Sequence, residues 1–272
     1  MQCSFLLSEA EVIINNLSGG DMKVLGSYEK ARLYIETHTA SEFDPIVQIR
    51  NINPGPCITL SRETGIGAEK ICELLIDYLQ PRSSAFYRNW AYFDKNLIEK
   101  VIADHDLPEH FRSFLEHERA STIDTMFSEI LNIHPSNIKL LHKTSQTILK
   151  LARFGNVIII GRGSNIITSE LKNTLHVRLV APLKFRIGNA QHLYDMDRST
   201  ASHFVEREDK VRKEFLKKYF HRDIEDPKNY HLVLNTYLMS FEEIAETIGN
   251  IVMKKFPYSF VQKMEFSSEL NG

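Results

Sequence analysis

The chain has 272 residues, of which 43% are hydrophobic and 25% charged, and its formal net charge is −2. This composition is typical of a globular protein with a large core, and it argues against nucleic acid or an anionic membrane as a partner, although a local basic pocket stays possible. The three cysteines, Cys3, Cys57 and Cys72, lie in or beside apolar stretches and predict no disulfide framework. No apolar run approaches the ~20 residues that span a bilayer, and the chain start lacks the basic residues of a secretory signal. We therefore expect a soluble, cytoplasmic protein.

The first part of the chain, residues 1–53, predicts an extension or small accessory unit. A helix is expected at 27–37 and an edge strand at 43–49, since Pro45 argues against a central strand. The stretch that follows, Asn53-Pro54-Gly55-Pro56, predicts a boundary or a stiff turn. We find no catalytic set of residues before it.

The stretch 57–79 predicts a strand, a glycine loop and a helix. This unit places backbone N–H groups and a helix N-terminus against phosphate oxygens. A full P-loop reads G-x-x-x-x-G-K-[ST], but Ala68 and Glu69 follow Gly67, and Lys70 comes one position too late. Arg62 is the nearest upstream cation that could replace the missing lysine, since a guanidinium binds phosphate bidentately. A surface salt bridge of Arg62 with Glu63 or Glu69 is the alternative.

Further strands alternate with helices along the rest of the chain. The predicted strands are 90–93, 157–160, 175–180 and 231–235, and the predicted helices are 94–102, 138–154, 183–194, 201–223 and 240–255, with a helical insertion at 107–133. This order predicts a three-layer α/β/α domain at 54–256, with a parallel sheet of about five strands and a weakly structured tail at 257–272. The loops that follow its strands should share one edge of the sheet, where ligands bind.

Three other positions could take part in chemistry. Arg162 follows the most apolar strand and would lie at that edge, where it could meet an anion or form a structural ion pair. Asp209 and Arg212 share a helix face, although a run of this charge is typical of a solvated helix. No C-x₂-C, H-x₃-H or G-x-S-x-G pattern occurs, so neither a zinc site nor an α/β-hydrolase is predicted.

Five segments taken together resemble the cytidylate kinase-like family, which belongs to the nucleoside monophosphate kinases of the P-loop class. They read ITLSRETGIGAEKICELL, AYFDKNLIEKV, VIIIGRGSNII, EDKVRKEFLKKYF and DPKNYHLVLNT. The resemblance implies a P-loop kinase fold with a helical insertion and a short lid. It also implies transfer of the ATP γ-phosphoryl group to a monophosphate with Mg²⁺, so the expected partners are a nucleotide and a small phosphoacceptor.

The resemblance also implies roles for individual residues. Arg62 and Arg186 are assigned catalytic roles, and Arg186 resembles the lid arginine. The assigned cofactor-binding residues are Arg62, Glu63, Thr64, Gly65, Ile66, Gly67, Ala68, Glu69 and Lys70. The assigned substrate-binding residues are Asp94, Lys100, Arg162, Asp209 and Arg212, and no residue is assigned to a metal. Gly163 stands where cytidylate kinases carry the aspartate associated with the cytosine edge, which puts cytosine specificity in doubt.

Two functional hypotheses follow. The first is an active kinase of a nucleoside monophosphate or a related small phosphoacceptor, favoured by the retained arginines. The second is a nucleotide-binding protein of the same fold without turnover, acting as a regulatory or interaction module. The missing lysine and the missing Mg²⁺-binding hydroxyl favour the second.

Overall fold

The structure is a computed structural model that describes residues 27–38, 53–84, 87, 89–103 and 135–261. The predicted edge strand at 43–49 and helical insertion at 107–133 lie outside these residues. The strands are β1 (Cys57–Arg62), β2 (Ala91–Phe93), β3 (Val157–Ile160), β4 (Thr174–Val180) and β5 (Leu232–Asn235). The helices are α1 (Ser27–His38), α2 (Ala68–Leu79), α3 (Lys95–Ala103), α4 (Pro135–Phe154), α5 (Ser164–Ile167), α6 (Leu183–Tyr194), α7 (Arg198–Phe220) and α8 (Phe241–Lys255).

The five strands form one parallel sheet in the order β2–β3–β1–β4–β5, which confirms the predicted fold class. β1 lies at the centre, with Leu60 opposite Ile160 of β3 and Arg62 opposite Leu179 of β4. Because all strands run the same way, the loops after them begin at one edge, which we call the carboxyl edge. The predicted clustering of these loops is therefore confirmed.

The sheet is covered on both faces by helices. Alternate residues of β3 enter different cores, with Val157 and Ile159 on one face and Ile158 and Ile160 on the other, as strand geometry requires. The first core contains residues of α1, α3, α4 and the end of α7, and the second contains residues of α2 and α8. Both faces being apolar explains why the strands have unbroken runs of β-branched residues.

Helix α1 packs into the first of these cores, although the sequence places it in a separate extension. Ala31, Tyr34 and Ile35 are buried there, and the Tyr34 ring lies edge-on to Phe93 of β2. The hydroxyl of Tyr34 donates a hydrogen bond to the carbonyl of Gly155. This helix is therefore part of the main core.

Helices α6 and α7 form an antiparallel hairpin that carries three predicted site residues. Asp197 caps α7 by accepting hydrogen bonds from the backbone N–H groups of Ser199 and Thr200. A small apolar cluster that includes Ala190, Ala201 and Val205 holds the two helices together. We call this hairpin the lid, since it begins at the carboxyl edge of β4.

The carboxyl-terminal part of the domain is better ordered than the sequence predicts. Helix α8 starts with a capping box between Ser240 and Glu243. The expectation of weak structure after residue 256 is wrong for 257–260, because Phe260 is buried in the second core and forms an antiparallel bridge with Ser83. Among the described helices, none is long and apolar enough to cross a membrane.

Candidate functional site

The loop between β1 and α2, residues 62–67, is the centre of the site, and we call it the glycine loop. Gly65 and Gly67 adopt φ of +82° and +78°. A Cβ at Gly65 would lie 2.3 Å from the carbonyl oxygen of Arg186, so the position requires glycine. Ile66 is buried in the core and anchors the loop. Gly67 is the N-cap of α2, and no side chain in the part of the chain that the structure describes caps this helix, so its first-turn N–H groups resemble those that bind anions.

Arg62 brings a guanidinium to this loop from the end of β1. A Cβ at Gly161 would lie 2.3 Å from Nη1 of Arg62, so the guanidinium takes this position beside a glycine and would have to move if that residue had a side chain. Within the described residues the Arg62 guanidinium makes no ion pair or hydrogen bond. Burial and the nearby charge of Arg212 lower the pKa of Arg62 to about 10, and the carboxylates of Asp94 and Glu69 offset part of this effect. An anion between the two arginines would relieve the repulsion.

Arg186 is buried and connects the lid to the glycine loop. Its Nε lies 3.2 Å from Oε2 of Glu63, and its Nη1 lies 2.5 Å from Oδ2 of Asp209. The same Glu63 oxygen accepts a hydrogen bond from the backbone N–H of Ala181 at 2.9 Å. Glu63 therefore braces the loop against the end of β4.

The carboxylate of Asp209, on α7, contacts the glycine loop and places a negative charge of the protein itself there. Its Oδ1 accepts hydrogen bonds from the backbone N–H of Thr64 at 2.8 Å and from the Thr64 hydroxyl at 2.7 Å. Nη1 of Arg212 donates to the Thr64 hydroxyl and lies 3.1 Å from Oδ1 of Asp209. The charged face of α7 is thus a contact with the loop, and the alternative of a purely solvated helix is wrong for these two residues.

Arg162 lies at the same edge, after β3. Its Nη2 is 2.8 Å from Oε1 of Glu99 on α3, in a pair whose side chains are 24% and 40% exposed. Burial lowers the pKa of Arg162, and the carboxylates of Glu99 and Asp94 act against this effect. Asp94 also caps α3 by accepting a hydrogen bond from the Leu97 N–H at 2.8 Å.

Three assigned residues lie on helix surfaces. Lys70 is exposed and pairs with Glu73 on α2 at 3.3 Å. Glu69 is exposed in the first turn of α2. Lys100 is exposed on α3, with its ammonium 5.3 Å from the ring centroid of Tyr28 on α1. Ala68, the first residue of α2, is nearly buried and offers only its backbone to a ligand.

Sequence reasoning missed a buried arginine in β4. Arg178 is 5% exposed, donates a hydrogen bond to the Ser61 hydroxyl at 3.1 Å, and lies 4.0 Å from Oε1 of Glu63. The Tyr230 ring lies 5.8 Å from its guanidinium carbon. An arginine in a buried strand needs such partners, so its position in the predicted strand 175–180 was the signal that could have indicated a buried ion pair.

The sheet order, the glycine loop at the centre of the carboxyl edge and the lid above it define an α/β protein of kinase-like fold. The sequence profile of the cytidylate kinase-like family matches residues 57–237, which is more than half of the chain. The chain therefore belongs to the cytidylate kinase-like family, as the sequence motifs predict.

Solved structures add a likeness of fold. An uncharacterised protein from Eubacterium ventriosum superposes with a TM-score of 0.55 over 75% of this chain and 98% of that chain, at 17% identity. Shikimate kinase from Acinetobacter baumannii in complex with shikimate gives a looser superposition, with a TM-score of 0.41 over 76% of this chain and 97% of that chain, at 14% identity. At such identities the first likeness shows the fold alone.

One curated protein matches part of the sequence. It is called uronate isomerase, from Corynebacterium glutamicum, and is 26% identical over 137 residues. The match covers 50% of this chain but only 26% of that protein, so this chain spans about a quarter of its length.

Proposed function

We propose that this protein is an ATP-dependent phosphotransferase that moves the γ-phosphoryl group to a nucleoside monophosphate or a related small phosphoacceptor. The observation that carries the proposal is Arg62, a guanidinium beside the glycine loop that has no anionic partner within the described residues and is repelled by Arg212. A cation kept in such a position is expected where a bound phosphate supplies the missing charge.

The ATP phosphates would lie at the glycine loop. Gly65 and Gly67 let the backbone approach a ligand closely, and the uncapped start of α2 presents its N–H groups there. Arg62 would supply the positive charge that a P-loop lysine supplies elsewhere. Ala68 leaves room at the lysine position without adding charge.

Mg²⁺ has no protein cage among the described residues, where no group of three or more His, Cys, Asp or Glu could hold a metal ion. Asp94 and Glu69 are the carboxylates whose charges act on Arg62, and they are the residues that could touch the ion. Mg²⁺ is usually bound by nucleotide phosphates and water with one or two carboxylates, so this arrangement fits. When bound, the ion neutralises phosphate charge.

The acceptor phosphate would bind near Arg162, which the structure holds in a partly exposed ion pair with Glu99. Such a pair contributes little stability and can be replaced by a phosphate. The acceptor's base is not expected to be cytosine. Gly163 has φ +69°, and a Cβ there would lie 2.6 Å from Cε2 of Phe220, so the cytosine-reading aspartate would require a strained backbone and a displaced Phe220 ring.

Phosphoryl transfer needs two anions held in line and little covalent chemistry from the protein. An acceptor oxygen attacks the γ-phosphorus, and the bond from that phosphorus to the β–γ bridging oxygen breaks. Arg62 and Arg212 would stabilise the charge on the transferred group and the leaving group. The lid, joined to the loop through Arg186, would exclude water and so limit hydrolysis of ATP.

A nucleotide-binding protein without turnover is the second candidate. It is favoured by the engagement of Arg186, the assigned lid arginine, whose Nε and Nη1 already contact carboxylates of Glu63 and Asp209 and not a transferred phosphoryl group. In that case the glycine loop would bind a nucleotide whose occupancy closes the lid. A partner protein would then respond to the closed form.

One experiment separates the two candidates. ATP binding is measured by calorimetry, and ADP release is followed with each nucleoside monophosphate as acceptor. Acceptor-stimulated ADP release supports the kinase, whereas ATP binding without stimulation by any acceptor supports the second candidate. Absence of ATP binding would contradict both.

Variants locate the ATP phosphates. Arg62→Ala should weaken ATP binding about 10- to 100-fold, the range for losing a charge-assisted contact. Arg207→Ala is the matched control, because its side chain is 69% exposed on α7 and its only ion pair among the described residues is with Glu208. If both variants bind ATP equally well, Arg62 is not a phosphate ligand.

A further inference from the structure

A polar cavity lies at the opposite end of the sheet from the glycine loop. It has a volume of about 700 Å³ and is bounded by the start of β4, the segment after α5, the loop between α7 and β5, and the last residue of α8. Thr174 and His176 of β4 line it, and they pair with Cys57 and Thr59 at the beginning of β1. The glycine loop follows the other end of β1, so this cavity is separate from the site described above.

The cavity is basic, with Lys172, Arg222, Lys228 and Lys255 in its wall and no Asp or Glu among its lining residues. All four cationic side chains are exposed, and among the described residues none of them forms an ion pair. The chain has a net charge of −2, so this concentration of positive charge is local and does not follow from composition.

Three acidic residues of the loop between α7 and β5 are engaged in other contacts. Glu225 pairs with Lys213 at 2.8 Å. Asp223 and Asp226 cap turns, since their carboxylates accept hydrogen bonds from the backbone N–H groups of Glu225 and Lys228 at 3.0 Å. The loop therefore uses its carboxylates for its own backbone and turns two cations, Arg222 and Lys228, toward the cavity without compensation.

Two histidines form the floor of the cavity. Nδ1 of His231 accepts a hydrogen bond from the backbone N–H of His176 at 3.0 Å, and Nδ1 of His176 lies 2.8 Å from the Thr59 hydroxyl. Burial lowers the pKa of His176 to about 4 and also lowers that of His231, and the charge of Lys255 acts in the same direction on both. The charge of one cavity cation, Lys255, thus acts on both histidines, in addition to their burial.

We propose that this cavity is a second binding site, for a small molecule that carries two or more phosphate or carboxylate groups. Its volume is within the range of small-molecule pockets. Four convergent cations supply the charge that such a ligand needs, and Asn165 and Tyr230 add polar groups to the wall. The site does not depend on the proposed kinase activity, because it shares no residue with the glycine loop.

The test uses the full chain and inorganic pyrophosphate as the probe, with citrate as a second probe that separates phosphate from carboxylate ligands. Isothermal titration is carried out in about 0.15 M salt, which screens weak surface attraction. The binding variant is Lys228→Ala/Lys255→Ala, and the control is Lys210→Ala/Lys254→Ala, which removes the same charge from exposed positions outside the cavity. Arg62→Ala is measured as well, so that binding at the glycine loop is counted separately.

We expect two pyrophosphate sites in the wild type, one of them lost in Arg62→Ala and the other weakened at least about tenfold in the cavity variant, as for loss of charge-assisted contacts. The control double variant should keep both sites. In Arg62→Ala, pyrophosphate should still shift the imidazole NMR signals of His231. The proposal is wrong if the cavity variant binds like the wild type, if the control loses the same site, or if Arg62→Ala binds neither probe.

Discussion

Asp209→Asn should lower stability and raise the affinity for an anion at the glycine loop. The amide can still accept hydrogen bonds from Thr64, so the variant mainly removes the charge that faces Arg186 and Arg212. Breaking a fully buried ion pair costs about 3–5 kcal/mol. The Asp209 side chain is 27% exposed and Arg186 keeps Glu63 at 3.2 Å, so we expect a loss of about 2 kcal/mol.

The anion affinity should change in the opposite direction. Without the Asp209 charge, the guanidinium of Arg212 keeps no ion pair among the described residues and can join Arg62 around a phosphate. Freeing one charged donor should strengthen phosphate or ATP binding about tenfold. Stability is measured by urea denaturation without ligand, and affinity by calorimetry with ATP.

Glu214→Gln is the control, since it makes the same kind of change on the same helix in a side chain that is 65% exposed. It should leave both measurements unchanged. The reasoning is refuted if Asp209→Asn keeps full stability and binds ATP no more tightly. Weaker binding of an acceptor at unchanged stability would instead support the role that the family resemblance implies, a direct contact with the acceptor.

Three further predictions concern the edges of the site and the sheet. Gly163→Ala should lower the free energy of unfolding by about 2–4 kcal/mol, measured in urea, because φ is +69° and the Cβ would meet the ring of Phe220. Arg162→Gly should be about 1 kcal/mol more stable than Arg162→Ala. Both variants lose the ion pair with Glu99, but only glycine adopts the φ of +56° at this position without strain. Equal stabilities would contradict this. Burial lowers the pKa of His176 to about 4 in the folded protein, so on acidification the imidazole takes up a proton in the unfolded chain first. The free energy of unfolding should therefore fall by about 2 kcal/mol from pH 7 to pH 5. In His176→Gln the same change of pH should lower it less.

The fold was predictable because its signals are local and repeated. Each strand is a short apolar run with a turn at its end, and the alternation of strands and helices leaves few arrangements other than a parallel sheet. The packing of α1 was not predictable in this way. Its apolar positions show only partial helical periodicity, and its partners on β2 and α4 are distant in sequence.

The sequence predicts which residues lie at the site but not the ion pairs and hydrogen bonds that join them. Sequence places Arg62, Arg186 and Arg212 at one edge, yet it cannot say which of them are paired with carboxylates. Pairing depends on how the lid lies on the glycine loop, and Asp209 meets Thr64 across 145 positions of the chain. The basic cavity was equally hidden, because its four cations come from three separate segments of the chain.

The central position of β1 has a consequence for synthesis of the chain. Its first residue, Cys57, pairs with Val157 and Thr174, so neither neighbouring strand exists until long after β1 has left the ribosome. An apolar strand with two open edges is prone to aggregate during that interval. Early folding of this protein should therefore depend on α2 covering one face of β1, and chaperone binding to nascent chains should decline once residue 180 has emerged.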